Sequence, residues 1–121
     1  MKVKTTFPKG DDLETIKQRD KICVYCSKKI YKPDKDVSRT KWATIEHFNH
    51  RSDWDSVGNY IREGKPVSEI VGMCCWSCNS SRSNKKKRVW FKTEYCLSRD
   101  INEKTVSKPV QEYIINVEDK E

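Results

Sequence analysis

Two Cys-x-x-Cys pairs, Cys23/Cys26 and Cys75/Cys78, stand 48 residues apart and constrain this chain more than any other feature. Each pair makes a tight turn whose thiolates can reach one ion at about 2.3 Å, so together they can close a tetrahedral zinc site. Two disulfides are the alternative. Against them, the first twenty residues carry Lys2, Lys4, Lys9, Asp11, Asp12 and Glu14 but no apolar stretch of a secretory signal. The chain therefore reads as cytoplasmic, where thiols stay available to metal. Cys74 could replace Cys75, but the matched spacing favours Cys75 and leaves Cys74 pointing elsewhere on its strand. Cys96 has no partner at ligand spacing and reads as a small buried hydrophobe.

With 121 residues, 35% hydrophobic and 36% charged, the chain forms one domain (1–121) with a modest core, and a bound metal would supply stability that the core lacks. No stretch has the apolar length of a membrane span, which argues against a bilayer partner. The net charge of +7 is unevenly spread. Arg82, Lys85, Lys86, Lys87, Arg88 and Lys92 fall in one stretch without an acid, while after Thr93 carboxylates outnumber bases by seven to four. A basic stretch just after the second Cys pair suits a nucleic-acid backbone, although such runs also occur as solvated faces or nuclear addresses.

The expected element order is a helix over about 11–21, with Asp11 as N-cap and Glu14 completing a capping box. A first knuckle follows, then a polar, turn-like 28–41. Residues 42–48 are rich in β-branched and aromatic side chains and predict a strand delivering Glu46 and His47 at its end. Residues 49–68 read as a loop, and 70–74 as a second strand paired with the first. After the second knuckle, Asn79-Ser80-Ser81 opens a main helix over about 78–98, and Val106, Val110, Tyr113 and Ile114 predict a last helix over about 105–115.

Strand, loop, strand, knuckle and helix, with Glu46-His47 on the first strand and Asn79 directly after Cys78, resembles the HNH endonucleases, a family of ββα-metal nucleases. The layout is most similar to zinc-containing members such as phage recombination endonuclease VII. The likeness covers Cys23 to about Tyr95, a core of about 22–98, and implies an α+β fold in which the two knuckles share one zinc and helices flank the core. It implies that His47 is the general base and that Glu46 and Asn79 hold a catalytic Mg²⁺ or Mn²⁺. These residue types suit the chemistry independently. A neutral imidazole can take the proton of an attacking water, and a carboxylate and an amide carbonyl are the oxygen ligands a hard cation prefers.

Adjacent strand residues point to opposite faces, so Glu46 and His47 can serve one site only where the strand ends or bulges. Each residue also has a plainer reading. His47 alone would be a structural imidazole, Glu46 a surface acid and Asn79 a helix cap. Arg82, one turn beyond Asn79, is a candidate phosphate clamp, and Lys85, Lys86, Lys87, Arg88, His50 and Arg51 are candidate DNA contacts. Trp54 and Arg62 could join them from the long loop. The family's middle Asn is replaced, since Glu69 and Ile70 fill its neighbourhood and Asn59 lies upstream. The expectation is a single-metal DNA endonuclease leaving 5′-phosphate and 3′-hydroxyl ends. A homodimer through Trp90, Phe91 or the last helix is one route to double-strand cleavage. The rivals are a non-catalytic zinc-ribbon module that binds nucleic acid and a zinc domain for protein interaction.

Overall fold

The computed structural model describes residues 4–5, 10–49, 60–61 and 65–120. Its centre is an antiparallel pair, β2 (Ala43–His47) against β4 (Val71–Cys75), in unbroken register from Ala43 opposite Cys75 to His47 opposite Val71. β1 (Lys4–Thr5) and β3 (Tyr60–Ile61) form a second two-stranded sheet. The result is a small mixed helix and strand fold. Both central strands lie where runs of β-branched and apolar residues predict them. The 49–68 stretch, expected as loop, also contributes β3 and a helical turn, α2 (Val67–Ile70).

Gly72 faces Glu46 across the sheet, and a Cβ there would lie 2.7 Å from Phe48 Cζ and 3.0 Å from Asp20 Oδ2. The missing side chain lets Phe48 and helix α1 (Asp11–Arg19) close onto β4. Asp20 Oδ2 accepts the Met73 N–H at 3.1 Å, and Arg19 donates to Ser68 O and Val71 O, so this helix is fastened at its C-terminal end. Its start differs from expectation. Gly10, not Asp11, occupies the N-cap with φ 61°, no side chain caps the first turn, and the Glu14 N–H reaches Gly10 O at 3.1 Å. Glycine alone tolerates that backbone cheaply, which moves the boundary back one residue. Asp11, Asp12 and Glu14 then act on the helix dipole from its first turn.

The single helix expected over 78–98 is three short ones: α3 (Trp76–Arg82), α4 (Lys87–Trp90) and α5 (Glu94–Arg99). Ser83 turns left-handed at φ 51°, Lys86 is extended, and the Arg82 Nε donates to Lys85 O at 2.8 Å, folding the chain back on itself. The second break is held by Thr93 Oγ1 donating to Trp90 O at 2.6 Å. These breaks let Trp90 turn into the core, where its ring meets Tyr25 edge-on at 4.8 Å. Trp90 and Phe91 are therefore buried and give no dimer surface.

Helix α6 (Lys108–Asn116) tolerates Pro109 in its first turn and adds Val110, Tyr113 and Ile114 to the core. It starts beside the first knuckle, with the Ser107 N–H on Val24 O at 2.8 Å. Among the described residues no helix is long and apolar enough to cross a membrane.

Candidate functional site

The four cysteines singled out by spacing converge. The sulfurs of Cys23, Cys26, Cys75 and Cys78 all lie within 4.8 Å of one another, and Cys26 Sγ is 3.9 Å from Cys75 Sγ. A tetrahedron with bonds of about 2.3 Å places its sulfurs about 3.8 Å apart, so the cluster can hold a metal ion such as zinc. Backbone geometry prepares it. Ser27, at φ 63°, reverses the chain after the first pair, and the N–H groups of Tyr25 and Cys26 approach Cys23 Sγ at 3.4 and 3.5 Å. In the second knuckle Cys75 is the N-cap of α3, its sulfur accepting the Cys78 N–H at 3.4 Å.

Without an ion these thiols compete for protons. Cys23 and Cys78 are pushed up and Cys26 and Cys75 down, in each case chiefly by hydrogen bonding within the cluster. A divalent ion held here would take all four as thiolates and end the conflict. Cys74 and Cys96 stay outside. Cys74 is buried opposite Thr44 with its thiol pushed up by burial, and Cys96 is a fully buried core residue.

Asn79 and Arg82 both reach β2 from α3, Asn79 at Thr44 and Ile45 and Arg82 at Glu46. Thr44 and Glu46 share one strand face, and α3 reaches both, since Asn79 Nδ2 donates to Thr44 Oγ1 at 3.0 Å and to Ile45 O at 3.2 Å. Glu46, 3% exposed, accepts from Tyr25 Oη at 2.6 Å and from Arg82 Nη1 at 3.3 Å, both at Oε2. Tyr25 is a partner that sequence reasoning missed. Only its place between two ligand cysteines hinted at a fixed orientation. His47 closes β2 still in register opposite Val71, and the Phe48 N–H continues to Ile70 O at 2.8 Å, so the chain neither bulges nor breaks between Glu46 and His47.

Arg82 corrects an expectation. It is 2% exposed, and its guanidinium donates to His47 O at 2.6 Å, Phe48 O at 3.0 Å and Asn49 O at 3.4 Å besides Glu46. It grips the chain leaving β2 and cannot clamp a phosphate. Lys87 is also withdrawn from solvent, donating to Phe48 O and lying over the Phe48 and Tyr113 rings, with its ammonium driven well below the usual lysine range by burial, then by Arg82. Arg88 is exposed and paired with Asp119 at 2.7 Å, while Lys85 and Lys86 remain exposed. His50, Arg51, Trp54, Asn59 and Arg62 lie outside the described residues.

The His47 imidazole, 5% exposed, is held down to about 4 by burial and then by the Arg82 charge, and so stays neutral at neutral pH. Its folded value lies below the unfolded value of about 6.5, so between the two the unfolded chain binds a proton that the folded chain refuses. Stability contributed by neutral His47 is full above about 6.5 and is lost as pH falls towards 4, about 3 kcal/mol in all. Denaturant titrations of zinc-loaded protein without Mg²⁺ should show a steeper acid-side loss for wild type than for His47→Asn. Parallel curves would refute the assignment. Comparison with known protein families, curated proteins and solved structures finds no match to this chain.

Proposed function

We propose that the protein is a metal-dependent DNA endonuclease of the HNH type. The observation that carries this reading is the approach of α3 to the end of β2, with Asn79 on Thr44 and Ile45 O and Arg82 on Glu46, one residue before His47 and beside a four-cysteine cluster. Glu46 Oε2 is engaged by Tyr25 and Arg82, so its other oxygen, with the Asn79 carbonyl, would take the cation. A bound Mg²⁺ or Mn²⁺ would offset charge on the scissile phosphate and on the leaving 3′-oxygen. Neutral His47 would accept the proton of the attacking water. Arg82 and Lys87 act as positioning residues, fixing the backbone on either side of the strand end.

The closed contact of Tyr25, Glu46 and Arg82 favours a second reading, a zinc module that binds nucleic acid without cutting it, because a buried carboxylate with two partners is already satisfied. Relaxation of supercoiled plasmid separates the two. The nuclease reading expects Mg²⁺- or Mn²⁺-dependent nicking that falls about a hundredfold or more in His47→Ala, with fold and zinc content retained. Equal nicking by both proteins would refute it. Salt-sensitive DNA retention with no nicking by either would leave the second reading standing.

A further inference from the structure

We infer that nucleic-acid phosphates dock in the basic cleft beside the cysteine cluster, walled by Lys28, Lys29, Lys41 and Arg99, and not along the 82–92 stretch. The inference rests on nucleic acid being the partner, which both readings above share, and is independent of cleavage. Half of the expected grip is spent elsewhere, since Arg82 and Lys87 are buried and Arg88 is paired with Asp119, while Lys85, Lys86 and Lys92 stay exposed.

The chain assembles a replacement from scattered positions. After the first knuckle it reverses, with the Cys23 N–H on Lys28 O at 2.8 Å and a bridge from Ile22 to Lys29. A further bridge between Tyr31 and Trp42 brings back Lys41, at the end of the short 3-10 turn Arg39–Lys41. Arg99 comes from α5, its guanidinium stacked 3.7 Å over the Tyr95 ring. All four cations are exposed, and among the described residues none is in an ion pair. Among the described residues no acid lines the cleft, whereas Thr40, Ser77 and Tyr95 add hydroxyls that can bond phosphate oxygens. Aromatic rings are interleaved at its edge, with Lys29 over Tyr31 and Arg39 over Trp76.

Two arguments favour a polyanion over plainer roles. A divalent ion on four thiolates carries two net negative charges, so four cations exceed what neutralising the cluster needs. The cleft volume of about 250 Å³ also falls below the roughly 300–1,000 Å³ of small-molecule sites, which suits an extended strand crossing the cleft rather than an enclosed metabolite.

The test uses zinc-loaded full chain, fluorescent duplex DNA and no Mg²⁺. Lys28→Gln/Lys29→Gln/Lys41→Gln should weaken binding more than about tenfold at moderate salt and lower the slope of log K against log salt by about 2 to 3. The matching Lys→Arg triple should bind like wild type, and Lys85→Gln/Lys86→Gln/Lys92→Gln should change little. Wild type failing to bind at low salt would sink the nucleic-acid reading itself. If wild type binds and only the 85/86/92 variant weakens, the inference alone is overturned. It is also overturned if the Gln triple loses zinc in step with DNA, which is what charges serving only the cluster would do.

Discussion

Stripping the metal with a chelator, or replacing Cys78 with serine, is expected to unfold this chain and not merely to silence it. Apparent binding free energies of structural zinc run to about 10–16 kcal/mol, against a total stability of about 5–15 kcal/mol for a native domain. The cluster also lies where the core can least spare it. Cys23 and Cys78 are fully enclosed, Val24 between the ligands takes Met73 O with its N–H, and its own carbonyl holds the start of α6. Opening the cluster therefore frees β4 and α6 together. Far-ultraviolet and near-ultraviolet circular dichroism during chelation should fall in one transition and recover when zinc returns. A metal-free protein that keeps its near-ultraviolet signal and a cooperative melt would show the core standing without the ion.

Arg82→Met is expected to cost about 3–5 kcal/mol, because it strands the buried Glu46 carboxylate, leaves the His47 carbonyl without this donor and leaves the Phe48 carbonyl to Lys87. Arg82→Lys should rescue little, since one ammonium cannot reproduce a planar fork serving several acceptors. Adding Glu46→Gln to Arg82→Met should restore part of the loss, because the stranded charge is then gone. Denaturant titrations of the zinc-loaded proteins measure all three. A loss under about 1 kcal/mol for Arg82→Met would mean that water replaces the guanidinium and that the interface is looser than its contacts suggest.

The cluster was legible because thiolate spacing is a local rule that survives any tertiary arrangement. The strands were legible because Thr44-Ile45 and Val71 sit in runs where few other structures fit. Arg82 and Lys87 were not, since a cation in a basic run reads as solvated until something buries it. What buries them, the carbonyls of Phe48 and its neighbours, lies more than thirty residues away. The helix breaks escaped for a related reason. Ser83 and Lys86 carry no strong stop signal, and the chain turns there because Arg82 bonds Lys85 O and because Lys87 and Trp90 must face inward. Gly72 was passed over as a strand residue, although Phe48 needs the space where its side chain would be. At the candidate site, the residue types suggested a metal-binding carboxylate but gave no sign of the Tyr25 hydroxyl that already holds it.

The Ser107–Val24 bond cannot form until residue 107 has left the ribosome. The first knuckle leaves the exit tunnel early, yet its two sulfurs wait for Cys75 and Cys78, and its backbone waits again for residue 107. During that interval Tyr25 and the two thiols of the first knuckle have no interior to enter, and the time taken to synthesise residues 27–107 sets the least time they wait.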